Sequence, residues 1–211
     1  INLARSFPEK KDRELEDIAV KFYGHLGRII AETVWFAGSY IKNRLEDSGI
    51  CHYSNLEALS ELFDKAPSVM LMTSHAGNWE ILGGCIHYRS LTKSGTFSFT
   101  EDEISIVYKE LSNKTMDRVM RHNRCTPVKA DWSICCVESK DIMRFVVAHR
   151  NQKRIYCFPT DQCPYKYASA HTVDDFLHQP TKTMTGRAAL ACNLKLAVCY
   201  MGMVEEPEGG Y

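Results

Sequence analysis

Residues 68–80 read SVMLMTSHAGNWE, and the order of residue types in that stretch decides how the chain folds. The run from Val69 to Met72 is wholly apolar, with Pro67 shortly before it and Ser74, Gly77 and Asn78 after it. A run this short, bounded by turn formers, fits a strand covered on both faces rather than one facing water. Gly77 lets the backbone turn tightly, Asn78 is a candidate cap, and NWEILGGCIHY (78–88) then reads as a helix. Strand, short loop and helix open a βα unit.

Upstream, SNLEALSELFDKA (54–66) predicts a short helix with Ser54 as candidate cap. Within residues 9–47, Ile18, Phe22, Leu26, Ile29, Thr33, Phe36 and Tyr40 recur at spacings of three and four, which predicts a long amphipathic helix. A break is expected near Gly24, Gly27 or Gly38. Its apolar stripe fits packing on the core, and it also fits a helix lying partly on a membrane surface.

Downstream, LTKSGTFSFTEDE (91–103) reads as a loop, ISIVY (104–108) as a strand and NKTMDRVMRHNR (113–124) as a helix. ICCVESKDIMRFVVAHRN (134–151) predicts a further helix, and RIYCFPTDQ (154–162) returns to strand. TKTMTGRAALACN (181–193) reads as helix and LKLAVCYMGMV (194–204) as the last strand. Alternating strands and helices predict an α/β class fold, a mostly parallel mixed sheet with helices on both faces. Residues 1–66 form an N-terminal helical segment packed on the core and 67–211 the core itself, within one domain.

The 211 residues carry 26 basic and 26 acidic side chains, so no global field argues for a nucleic-acid partner and any anion binding must be local. Nine cysteines, an odd number without a CxxC pair, point away from a disulfide framework or a zinc site and towards a reducing compartment. No stretch approaches the roughly 18 to 20 apolar residues of a spanning helix. The chain starts without methionine and stops at EEPEGGY, which suggests a piece of something longer.

His75 falls at the carboxyl end of the strand, where ligands and chemistry collect in open α/β sheets. Glu80 follows five residues later. The two can meet only if the histidine sits in the loop and the helix begins after it. A neutral imidazole can then take a proton from an alcohol with one nitrogen while the other donates to the carboxylate. With no nucleophilic serine nearby, the pair would activate a substrate hydroxyl for direct attack on an acyl group. The same spacing also fits a loop histidine and a surface glutamate. Neither HExxH nor GxSxG is present.

Other polar groups are candidates for binding. Arg118, Arg121 and Arg124 recur every third residue with His122 beside them, a row that suits phosphates or an acidic protein surface, or a solvated face. Asp161 and Gln162 end another strand on the same rim as His75, either orienting an acceptor or forming a turn before Pro164. Arg187 beside Gly186 could meet an anion at a helix start. Tyr165, Tyr167, His171 and His178 match no tight metal-ligand spacing and read as surface groups; the chemistry needs neither metal nor cofactor.

SHAGNWE resembles the H-x4-D/E signature of the glycerolipid acyltransferase superfamily, and in particular the bacterial lipid A biosynthesis acyltransferases, the late acyltransferases that often carry H-x-GNWE. The likeness extends over NLARSFPEK, IVYKELSNKTMDRVMRHNR, PTDQCP and FLHQPTKTMTGRAALA, in that order. It implies a glycerolipid-acyltransferase-like fold and an enzyme moving a fatty acyl chain from an acyl carrier protein thioester to a hydroxyl of a lipid A precursor, a glycolipid, at the cytoplasmic face of the inner membrane. His75 matches the general base and Glu80 its partner, with Asn78, Lys109, Arg118, Arg121, Asp161 and Gln162 as substrate-binding candidates. Where many members have tyrosine-arginine-proline, this chain has Tyr108, Lys109 and Glu110. Lysine still offers a point charge to an oxyanion or phosphate, without the guanidinium's two-pronged donation. The same chemistry on a lysophospholipid or aminolipid, or a non-catalytic membrane-associated binding module, are the alternatives.

Overall fold

The computed structural model describes residues 2–38, 44–90, 97–125, 131, 135–162, 164 and 170–211. The expectations at Tyr40, residues 91–96, Tyr165 and Tyr167 lie outside the described residues. The chain begins with helices α1 (Asn2–Ser6), α2 (Asp12–Ala37) and α3 (Arg44–Ser48), then strand β1 (His52–Tyr53), helix α4 (Leu56–Lys65) and strand β2 (Val69–Thr73). A 3-10 helix, Trp79–His87, leads to β3 (Arg89–Ser90), β4 (Ile104–Tyr108), helix α5 (Lys114–Cys125) and β5 (Cys136–Glu138). Helix α6 (Ile142–Ala148), β6 (Ile155–Pro159), the strands β7 (Ala170–Phe176) and β8 (Gln179–Met184), helix α7 (Gly186–Leu194) and β9 (Ala197–Tyr200) follow.

Five strands form a parallel sheet in the order β5-β4-β6-β2-β9. The apolar run at 69–72 lies inside the sheet, between β6 and the edge strand β9, with both faces of β2 covered. On one face Met70 packs with Tyr156 and Phe158 of β6, Ile142 and Val146 of α6, and Leu190 and Ala191 of α7. On the other, Val69 and Leu71 pack with Ile155, Cys157, Phe99 and Phe63 of α4. Each large side chain sealed this way contributes about 1.5–3 kcal/mol.

Three elements differ from the sequence reading. The helix expected over 134–151 is interrupted: Cys136 and Val137 pair with Ile106 and Val107 as an edge strand, and helix α6 begins at Ile142. Residues 181–184 are not helical either, but form the second arm of an antiparallel hairpin with 170–176. That hairpin turns at Leu177 and His178, both at positive φ, and its first arm is exposed throughout, so no core pattern marks it in the sequence. Residues 79–87 wind as a 3-10 helix, tighter than the α-helix expected.

Helix α2 runs unbroken through Gly24 and Gly27 and stops at Gly38. Ile29 and Phe36 are buried, and Phe36 joins Leu45, Cys51, Ile81, Tyr88 and Tyr211 in a third cluster that seats the 3-10 helix. Phe22, from the expected buried stripe, is exposed, as are Val20, Tyr23, Ile30 and Val34. Among the described residues no helix is long and apolar enough to cross a membrane. Asn55, not Ser54, occupies the cap position of α4.

Candidate active site

The site begins with strand register. β2 and β6 are paired in parallel with Thr73 opposite Pro159, so the two chains leave the sheet side by side, and His75 and Asp161 each lie two residues further on. Thr160 N–H closes the exit by donating to Thr73 O at 2.8 Å. Asp161 then grips the histidine twice: Oδ2 accepts from the His75 backbone N–H at 2.7 Å, and Oδ1 lies 2.6 Å from ring Nδ1. Gln162 Nε2 lies 3.2 Å from His75 Nε2. An Nδ1–H donated to Asp161 and an Nε2 lone pair accepting from the Gln162 amide satisfy both contacts, which selects one neutral tautomer. Burial opposes ionisation of the Asp161 carboxyl, yet the hydrogen bonds from the His75 ring and backbone outweigh it and hold the group below its ordinary range.

Glu80 does not meet the histidine, contrary to the expected pairing. Its Oε2 accepts from Arg124 Nε at 2.7 Å and its Oε1 from Arg124 Nη2 at 2.6 Å, a two-pronged ion pair. Trp79 stands between the two residues. Its ring meets the His75 ring edge-on with centroids 4.8 Å apart, and its Nε1–H donates to Glu80 Oε1 at 3.1 Å. Desolvation works against the charge on Arg124, but the Glu80 carboxylate more than restores it and raises the guanidinium above its ordinary value. Asn78 Oδ1 caps the 3-10 helix by accepting from Glu80 N–H at 3.2 Å, and the packing of α5 against that helix brings Arg124 to the Glu80 side chain.

Asn78 itself is a correction to the binding candidates. It is fully buried, and its Nδ2 donates to Ile29 O and Glu32 Oε2 of α2 at 3.3 and 2.9 Å. It holds the motif to the helix and does not line the cavity. Gly77 sits at φ +65°, and a Cβ there would fall 2.5 Å from Met203 Cγ, so glycine is needed for both conformation and space. Arg118 is exposed and Arg121 pairs with Asp117 Oδ2 at 2.7 Å; neither lines the cavity. His171 and His178 are exposed on the hairpin, as expected.

A cavity of about 500 Å³ opens beside this constellation. Its lining includes the polar residues His75, Glu80, Lys109, Gln162 and Arg187, and Arg187 Nη1 donates to Thr160 O at 3.2 Å. Its apolar part is formed by Leu71, Ile106 and Cys157 of the sheet with Leu59, Phe97 and Phe99. That volume lies within the usual range of ligand pockets, about 300–1,000 Å³. Trp79 is the part that sequence reasoning missed, and Arg124, read as one of a row suited to phosphates or an acidic surface, grips Glu80 instead. The H-x4-E spacing draws attention to Glu80, whereas only the packing of α5 against the 3-10 helix brings Arg124 to it.

A parallel sheet whose carboxyl rim presents an acid-held histidine beside a largely apolar cavity defines an α/β protein with its site at the rim. The chain belongs to the bacterial lipid A biosynthesis acyltransferase family, whose model matches residues 1–211. It is thus an acyltransferase of lipid A biosynthesis. No curated relative matches the chain.

Proposed function

We propose that the protein moves a fatty acyl chain from an acyl carrier protein thioester to a hydroxyl of a lipid A precursor, with His75 as general base and Asp161, in place of Glu80, as the acid that orients it. The observation that carries this reading is the 2.6 Å contact from His75 Nδ1 to Asp161, which leaves the lone pair on Nε2, where the Gln162 amide now donates at 3.2 Å and an acceptor hydroxyl takes that amide's place. Nε2 takes the acceptor's hydroxyl proton, and the oxygen attacks the thioester carbonyl carbon. Asp161 steadies the imidazolium that forms. The carbon–sulfur bond then breaks and the departing sulfur takes the proton back from Nε2. Lys109, which also lines the cavity, supplies the positive charge that offsets negative charge on the carbonyl oxygen or on an acceptor phosphate. The apolar part of the cavity suits the acyl chain, and Gln162 the acceptor.

Reaction with a lipid requires approach to a membrane, and the cytoplasmic face of the inner membrane is the proposed location. The exposed Val20, Tyr23, Ile30 and Val34 of α2 and the hairpin tip Phe176 and Leu177 are apolar surfaces suited to it. The test uses full-length protein with acyl carrier protein thioesters and a lipid A precursor in mixed micelles, with product mass read by mass spectrometry. One added acyl group is expected, and His75→Ala should lower the rate by about 10² to 10⁴. An unchanged rate in a folded His75→Ala variant would remove the mechanism. Acylation of a lysophospholipid or aminolipid alone would reassign the acceptor, and fatty acid release without acceptor would make the protein a thioesterase.

A further inference from the structure

Cys125 ends α5, and Cys135 and Cys136 enter β5, so the sequence separates the first from the others by a segment that shows no ligand spacing. The fold brings them together. Cys125 Sγ lies 3.9 Å from Cys135 Sγ, Cys135 Sγ lies 3.6 Å from Cys136 Sγ, and all three sulfurs fall within 4.8 Å of one another. Among the described residues this is where three side chains able to hold a metal converge. None of them takes part in the acyl transfer proposed above, and all three line the cavity.

The separations have a definite meaning. A tetrahedral zinc site with Zn–S bonds of about 2.3 Å has sulfur-to-sulfur edges of about 3.8 Å. A disulfide needs sulfurs about 2.05 Å apart, so closing one would require movement of the backbone or rotation of the side chains. We propose that Cys125, Cys135 and Cys136 bind one Zn2+ ion through three sulfurs, with the fourth position turned to the cavity. The donor set is soft and uniform, which suits a thiophilic ion with tetrahedral preference. Each thiol gives its proton to solvent as its sulfur binds. The ion would fasten the carboxyl end of α5 to the start of β5, beside the residue that grips Glu80. Its role is positioning, and its binding does not depend on which acceptor the enzyme uses.

The experiment takes full-length protein purified with reductant and freed of metal, and titrates it with Zn2+ alone against a chromophoric chelator. Co2+ then serves as the spectroscopic probe. The expected result is one Zn2+ per chain, proton release on binding, and a Co2+ spectrum with a sulfur-to-metal charge-transfer band and four-coordinate ligand-field bands. Cys125→Ser, Cys135→Ser and Cys136→Ser should each weaken binding by at least the roughly 100-fold that losing an outer-shell partner alone can cost. Cys192→Ser, which alters an exposed cysteine outside the cluster, should bind as wild type. The proposal is overturned if wild type binds no more Zn2+ than the triple serine variant, if Co2+ reports oxygen and nitrogen ligands, or if the reduced protein holds the three thiols merely packed as small apolar groups. Should the triple variant fail to fold, the wild-type stoichiometry and spectrum decide the matter by themselves.

Discussion

Asp161 and Glu80 both stand close to the His75–Trp79 pair, and they are held in opposite ways. Asp161 has a side chain 40% exposed and is engaged by the ring and backbone of His75. Glu80 is 11% exposed and gives both oxygens to Arg124. A carboxylate at an open rim, with the imidazole as its chief partner, can respond when that ring gains a proton. One clamped by a guanidinium in a wall cannot change its charge without leaving a cation uncompensated. The difference separates an acid suited to turnover from an acid suited to holding the wall.

The sharpest way to break this comparison is Asp161→Asn. It should cost about 10² to 10⁴ in acyl transfer rate, since an amide no longer selects the ring tautomer or stabilises the imidazolium. Little change in Tm should accompany it, because the group is partly solvated. Equal loss from Glu80→Gln with an unaltered Tm would mean that the two acids have exchanged roles. Glu80→Ala should act mainly on stability. It leaves Arg124 without its partner, at about 3 kcal/mol, near the low end for buried pairs because Arg124 keeps 30% exposure. That corresponds to a fall in Tm of roughly 6–12 °C by differential scanning calorimetry.

Gly77→Ala tests the loop that separates the two acids. The positive φ and the close approach to Met203 together should cost about 1–2 kcal/mol by chemical denaturation. The smallest expected effect is in acid. Asp161 has its carboxyl pKa lowered in the folded state, so its contribution is complete above the unfolded value of about 3.9 and is lost as pH falls through the lower folded value. Carboxyl carbon shifts followed by NMR should titrate below 3.9 in wild type and move up towards it in His75→Ala. A midpoint that does not move would show that the ring is not what holds the group down.

Much of the architecture was legible because local pattern and burial agree. The run Val69–Met72 is apolar on both sides of its pleat and lies inside a sheet covered on both faces. Residues 104–108 and 154–162 read as strands for related reasons, and β4 and β6 fall within them. Reading failed where a strand owes its existence to a partner rather than to its own pattern. Cys136 and Val137 become strand by pairing with β4, and Thr181–Met184 by pairing with an arm that buries nothing. At the site, His75 was found by its place after a buried strand. Its acid was not, because H-x4-E counts along one chain whereas the observed contact joins residues 86 positions apart.

What the sequence determined by itself was the interior strand β2, the tight turn at Gly77 and a histidine delivered to the rim, since these follow from apolar patterning and the conformational freedom of glycine over a few neighbouring residues. Tertiary structure decided which carboxylate the imidazole takes, which arginine Glu80 grips and which thiols gather at the end of α5. Those pairings depend on parallel register between β2 and β6 and on helix packing, and such long-range geometry leaves no local periodicity to read.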